Sequence, residues 1–237
     1  DLVYIDPPYN SRQYCDAYHL LENVAVWNKP KVYGVAKKMD RTSLKSKYCT
    51  NKAVEAFDEL VKNCNSKYIL VSYNNTGEKS NSRSNAKISD LQIKQILEKK
   101  GKVKVFEQDY NNFTTGKSVS LDHKERLFLC ETEEICNESK IELKDNNIFA
   151  KSPLNYTGGK YRLLPQFENL FPKDIDTFVD FFCGGGNVAI NSNAKKIIAI
   201  DKETNLIKIL ELFKNHDYMD IVNKLDSIIE KYNLSNT

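Results

Sequence analysis

The tetrapeptide Asp6-Pro7-Pro8-Tyr9 closes the apolar run Leu2-Val3-Tyr4-Ile5, and its residue types limit the chemistry it can do. Each proline fixes its own φ and drives the residue before it toward extended conformations, so Asp6 and the carbonyls beside it form a nearly fixed array. Neither proline has an N–H to donate. The array therefore offers acceptors only, a carboxylate and main-chain carbonyls, which suits an amino group rather than a phosphate. Tyr9 adds an aromatic face for stacking a planar base drawn out of a duplex. The plain structural alternative is a strand end followed by a Pro-Pro turn with an exposed Tyr.

A second constellation lies in the last third of the chain. A β-rich run over 177–182 leads into Gly184-Gly185-Gly186, where main chain can approach a ligand with no Cβ in the way. The apolar run 197–200 then presents Asp201, an acid placed to accept the two ribose hydroxyls of an adenosine. Gly184-x-Gly186-x-x-Ala189 with Asp201 also satisfies the loose dinucleotide fingerprint, so a nicotinamide ligand stands as the alternative at this point.

Asp6-Pro7-Pro8-Tyr9 followed by Asn10 resembles the catalytic motif of the DNA adenine-N6 methyltransferases, which use S-adenosylmethionine. Two further stretches, Ser152-Pro153-Leu154-Asn155-Tyr156-Thr157-Gly158-Gly159-Lys160 and Asp180-Phe181-Phe182-Cys183-Gly184-Gly185-Gly186-Asn187, resemble that family's cofactor-binding motifs in their Dam-like form. A dehydrogenase has no use for Asp-Pro-Pro-Tyr, which sets the nicotinamide reading aside. The resemblance implies an α/β, Rossmann-like S-adenosylmethionine-dependent methyltransferase fold, a mixed and mostly parallel sheet with helices on both faces. It implies Asp6, Pro7, Pro8 and Tyr9 as the catalytic group, and Tyr156, Gly159 and Lys160 along the methionine part of the cofactor. Asp180, Phe182, Gly184, Gly186 and Asp201 complete that cofactor site, and no metal is implied. The substrate would be a flipped adenine in double-stranded DNA, within a restriction-modification system whose cognate endonuclease is a further partner. Cytosine-N4 methylation follows the same logic, but Asp rather than Ser at the head of the motif favours adenine.

These groups need elements to position them. The run 2–5 reads as a buried strand delivering Asp6 to a sheet's carboxyl edge, where open α/β folds place ligands. Apolar residues at helical spacing over 12–27 predict a helix packed beside the site, with His19 on it as a hydrogen-bonded structural residue. Ala53, Phe57, Leu60, Val61 and Cys64 trace one face of a second helix. A strand over 67–73 ends in the turn Asn74-Asn75-Thr76-Gly77, and the polar loop 78–87 with Arg83 suits DNA backbone contacts. Ser89 and Gln92 form a capping-box pattern ahead of a helix that Gly101 stops. Strands over 103–110 and 126–131 follow. In the second half, a short helix runs between Pro165 and Pro172, strands cover 177–182 and 197–200, and two amphipathic helices bury their stripes in the core.

With 237 residues and 41% hydrophobic content the chain can bury a real core, and no apolar run reaches the length of a membrane span. A net charge of +3 names no partner by itself. Between Asn28 and Lys52, however, eight basic residues face the single acid Asp40, with Tyr33 and Tyr48 interleaved. Such a segment can neutralise several phosphates, and Lys37, Lys38, Arg41, Lys45 and Lys47, with Asn10 and Arg12 next to the tetrapeptide, are the DNA-contact candidates. A solvated lysine-rich loop has the same composition. Six cysteines without a C-x-x-C pair support neither a zinc site nor a disulfide framework, and reduced thiols in the cytoplasm are the simpler account.

The order of the motifs is unusual. In the Dam-like arrangement the cofactor motifs come before the catalytic one, whereas here Asp6 precedes Ser152. A circularly permuted enzyme gives that order, and so does the end of one methyltransferase domain followed by the start of a second, as in bifunctional restriction-modification methylases. The Dam-like second motif favours the tandem arrangement, with a catalytic half over 1–131, a linker over 132–151 and a cofactor-binding half over 152–237. A chain that lacks an initiator Met and begins inside a strand reads as a fragment, and a fragment that binds DNA or cofactor without catalysis is the third reading.

Overall fold

Four consecutive apolar residues, all buried, form β1 (Leu2–Ile5), and Pro7 and Pro8, which cannot donate to a ladder, end it. The computed structural model describes residues 1–11, 13–74, 86–109, 124–132, 149–154, 156, 158–167 and 170–234. Arg12, Asn155, Thr157, the 75–85 stretch with Arg83, and most of the expected linker lie outside the described residues. The chain divides into two units, residues 1–141 and 142–237.

In the first unit β1 pairs in parallel with β4 (Tyr68–Asn74), in a register that runs from Leu2 opposite Tyr68 to Ile5 opposite Val71. β6 (Lys124–Thr132) lies antiparallel on the other side of β4, and β5 (Gly101–Asp109) antiparallel beyond it. Between β1 and β4 come α1 (Tyr14–Ala25), the short strands β2 (Val32–Tyr33) and β3 (Lys38–Met39), and α2 (Ala53–Asn63). α2 buries Ala53, Phe57 and Val61, one residue per turn, as its period predicts. α3 (Asp90–Glu98) begins on the Ser89 capping box, with the Gln92 side chain returning to the Ser89 N–H at 2.9 Å. Gly101 opens β5 rather than stopping the helix: a Cβ there would overlap the Glu131 carbonyl across the ladder.

Two expectations for this unit fail. α1 forms where its period placed it, but none of its residues is buried, and Leu20, Leu21 and Val24 are 64%, 65% and 59% exposed. His19 is not a hydrogen-bonded structural residue at Nδ1, which is buried with no hydrogen-bond partner among the described residues. A helical period reports an apolar face; it does not report a neighbour to cover it.

The second unit contains α4 (Leu164–Phe167), β7 (Thr177–Phe181), β8 (Lys196–Ile200), α5 (Thr204–Asn215) and α6 (Tyr218–Tyr232). β7 and β8 are parallel, with Thr177 opposite Lys196 and Phe181 opposite Ile200. β8 is not the buried strand its apolar run suggested: Ile197 and Ile200 are 42% and 37% exposed, because β8 is an edge, paired on one side only. The stripes of α5 and α6 are not core packing either. Leu206 is the single buried residue of α5, α6 has none, and Ile209, Leu212, Leu225, Ile228 and Tyr232 are exposed. No helix among the described residues is long and apolar enough to cross a membrane.

Candidate active site

In the first unit the tetrapeptide is fixed from both sides. Asp6 follows the last residue of β1, Pro7 is buried, and Pro8, Tyr9 and Asn10 are half-buried. The carbonyl of Tyr9 accepts hydrogen bonds from the Lys87 N–H at 2.8 Å and from the Tyr73 hydroxyl at 3.3 Å. That hydroxyl in turn accepts from the Ile88 N–H at 3.1 Å, and burial pushes its pKa up, so it keeps its proton. The Tyr9 ring stands edge-on to Tyr73, centroids 6.2 Å apart. Strand β4 thus braces Tyr9, and the segment entering α3 is tied to the same point.

The carboxyl end of β4 carries a buried polar group that sequence reading missed. The Ser72 hydroxyl donates to Glu125 Oε1 at 2.7 Å and the Asn74 amide to Glu125 Oε2 at 2.9 Å. Ser72, Glu125 and Asn74 are 0%, 4% and 5% exposed. The available signal was polar residues alternating at the end of an apolar strand, but the acid that meets them lies more than 50 residues away.

The basic segment is ordered, not a plain loop. Gly34 (φ 67°) and Lys37 (φ 46°) turn the chain between β2 and β3, and the Gln13 side chain exchanges hydrogen bonds with the Ser46 main chain at 2.7 and 3.2 Å. Lys37, Lys38, Lys45 and Lys47 are exposed. Arg41 differs: its Nε is paired with Asp16 at 2.9 Å and its side chain is largely buried, so part of its charge is used within the protein.

In the second unit the glycine turn is built around one acid. Asp201, just past β8, accepts the Gly184 N–H on Oδ2 and the Glu203 N–H on Oδ1, both at 2.9 Å. Gly184 (φ 50°) and Gly186 (φ 77°) are left-handed, and a Cβ on Gly184 would come within 3.0 Å of the Tyr156 ring. Phe182 is left-handed as well (φ 65°), a conformation a side chain adopts only under constraint. Gly159 bonds back to the Tyr156 carbonyl at 3.3 Å, and the buried Lys160 gives its ammonium to the Gly158 carbonyl at 3.3 Å. Asp180 is buried within β7. Burial, with Asp180 and Asp201 adding to it, pushes the Cys183 thiol up to about 12.

Asn191 was not named from sequence and Asn187 only as the last residue of its motif, yet the two tie the segment 150–152 to the glycine turn. Asn187 Oδ1 accepts the Ser152 N–H at 3.0 Å, and Asn191 exchanges two 2.8 Å bonds with the Ala150 main chain. Gly184 thus lies between the Tyr156 ring and the Asp201 carboxylate, Gly159 lies against Asn187, and Asp180 is buried in the strand that precedes the turn. A turn that closely apposed to an aromatic ring, beside a carboxylate with lone pairs to spare, fits an adenosine-bearing ligand.

A family model for D12 class N6 adenine-specific DNA methyltransferases matches residues 1–83 and 156–237. The chain is 37% identical to the type II methyltransferase M.FokI of Planomicrobium okeanokoites, over 99% of this chain and 37% of that protein. It is 38% identical to the modification methylase StsI of Streptococcus sanguinis, over 100% of this chain and 37% of that protein. The modification methylase LlaI of Lactococcus lactis subsp. lactis is 28% identical over 99% of this chain and 35% of its own length. The chain therefore spans little more than a third of the length of these relatives.

Proposed function

This chain belongs to the D12 class of N6 adenine-specific DNA methyltransferases, and we propose from that premise that the protein containing it methylates adenine N6 in double-stranded DNA, using S-adenosylmethionine. The observation that carries the reading is the acceptor array at the end of buried β1, with Asp6 and the Pro7 carbonyl at its head and Tyr9 braced beside it.

Adenine's amino lone pair is delocalised into the ring, so the amine is a poor nucleophile until its two protons are held. Asp6 and the Pro7 carbonyl accept hydrogen bonds from the amine's two N–H groups, which localises the pair on nitrogen and aims it. Tyr9 stacks on the extruded base. The same acceptors give a negative environment where positive charge develops on the amine, so no covalent enzyme intermediate is needed. S-adenosylmethionine, when bound, supplies an electrophilic methyl group on a sulfonium. Gly184 and Gly186 would cradle it with main chain, Asp201 would take the ribose hydroxyls, Tyr156, Gly159 and Lys160 would lie along its methionine part, and Asp180 and Phe182 would frame the turn. Exposed Lys37, Lys38, Lys45 and Lys47 would meet DNA phosphates, with Asn10 nearer the base and Arg12 a further candidate by its place in the sequence.

The motif order, and relatives nearly three times as long, support a tandem arrangement in which the first unit ends one methyltransferase domain and the second begins another. A second glycine-rich cofactor turn encoded upstream of residue 1 would be its signature; an uninterrupted permuted domain would replace it. Two of the relatives, StsI and LlaI, are named modification methylases, and a restriction endonuclease in the same system is the partner this reading calls for. In the full-length protein, Asp6→Ala is expected to abolish transfer of radiolabelled methyl groups to DNA while cofactor affinity stays nearly unchanged. Substantial residual transfer would sink the assignment of Asp6, and N4-methylcytosine in the digested product would replace adenine as the target.

A further inference from the structure

The group formed by Ser72, Asn74 and Glu125 has no part in the reaction as derived so far, and its position points to one. Tyr4 pairs with Leu70 and Ile5, the last residue of β1, with Val71; carried one residue further, that register sets Asp6 level with Ser72 and on its face of the sheet. Across the other ladder Ser72 pairs with Leu127 and Asn74 with Glu125, so Glu125 belongs to the same face. Its neighbours Leu127, Phe128, Leu129 and Cys130 are buried and apolar. The two buried donors, the Ser72 hydroxyl and the Asn74 amide, need an acceptor at 125; the acceptor present also brings a charge out of water, a cost that hydrogen bonding only partly offsets.

We propose that Glu125 is a positioning residue for methyl transfer, acting through Ser72 and Asn74 on the acceptor array headed by Asp6; the inference rests on the methyltransferase reading above. Its two oxygens accept hydrogen bonds from the Ser72 hydroxyl and the Asn74 amide. With its hydrogen committed to Glu125, the Ser72 hydroxyl has only lone pairs left to offer. The end of β4, whose Tyr73 already holds Tyr9, is locked in one arrangement. A fixed negative charge also lies on the face where the amine becomes cationic, already oriented before the reaction starts. No proton or group is transferred to Glu125.

The test uses the full-length protein, with unmethylated genomic DNA and radiolabelled S-adenosylmethionine. Glu125→Gln keeps the volume and removes the charge. Its kcat per folded molecule is expected to fall on the order of tenfold or more, with KM for DNA and for cofactor each within about twofold of wild type, while the amide N–H₂ now facing a buried donor lowers the melting temperature. A purely structural acid would lower the melting temperature in the same way and leave kcat per folded molecule intact, which overturns the proposal. Should Glu125→Gln not fold, Ser72→Ala, a small and apolar change, is the deciding variant: a several-fold fall in kcat is expected, and wild-type kcat overturns the proposal. A wild-type protein that leaves adenine unmethylated would overturn the methyltransferase reading itself, an outcome separate from either variant's.

Discussion

The Gly184 N–H and the Asp201 carboxylate meet at 2.9 Å, joining the turn after β7 to the residues that follow β8. With the Glu203 N–H on its other oxygen, one side chain sets the conformation of the glycine turn and of the entry to α5. Asp201→Asn keeps one acceptor and puts an amide N–H₂ against a main-chain N–H. The substitution is expected to weaken binding of S-adenosylhomocysteine on the order of tenfold, with a loss of about 1–3 kcal/mol in stability. Isothermal titration and urea denaturation of the same preparation check both; unchanged affinity would remove Asp201 from the cofactor site.

Tyr73 does two jobs with one hydroxyl. Tyr73→Phe leaves the buried Ile88 N–H unpaired and takes one of two hydrogen bonds from the Tyr9 carbonyl. A destabilisation of roughly 1–3 kcal/mol is expected in denaturant titration, together with slower methyl transfer. A variant as stable as wild type would mean that water satisfies Ile88.

The exposed lysines around β3 are assigned to phosphates, which is a statement about salt. Lys37→Ala and Lys38→Ala should each weaken DNA binding equally on unrelated sequences and flatten the slope of log K against log salt by about 0.9. Arg41→Ala should act differently, because Arg41 is held by Asp16, and should show first as lost stability of the segment around α1. Fluorescence anisotropy at several salt concentrations separates the two behaviours.

Burial raises four thiols above the ordinary value near 9, Cys64 among them, with Cys49 and Cys130 at about 11 and Cys183 at about 12. Folded pKa values above the unfolded ones mean that the unfolded chain releases protons first as pH rises. The stability held by these neutral thiols is therefore complete below about pH 9 and is lost between pH 9 and 12. Denaturation midpoints are expected to fall steadily from pH 8.5 to 10.5, and Cys183→Ala should reduce that slope. A flat profile would show that the thiols are as accessible folded as unfolded.

How far the sequence could be read depends on the range of the interaction. Local signals were enough for β1 and its proline stop, for the Ala53, Phe57 and Val61 stripe of α2, and for the Ser89 box, since each is written within a few residues. The glycine turn and the acid that accepts its Gly184 N–H were legible because their spacing lies within one strand–turn–strand unit. Glu125 was not, because the residues it binds are named only by the register of β4 against β6. The β2–β3 hairpin escaped because two-residue strands are shorter than any alternation. Exposure of α1, α5 and α6 escaped for a different reason: amphipathicity is a property of one helix, and burial is a property of two elements.

Pro7 and Pro8 have a consequence for spectroscopy. With no amide hydrogen on either residue, the tetrapeptide has only the Asp6 and Tyr9 amides to report on it in hydrogen–deuterium exchange, and an amide-detected NMR assignment breaks between them. A base arriving at the acceptor array would be nearly silent in such a spectrum. Its arrival can be followed instead from the carbonyl carbons of the array, or from the Lys87 amide, whose hydrogen bond ends on the Tyr9 carbonyl.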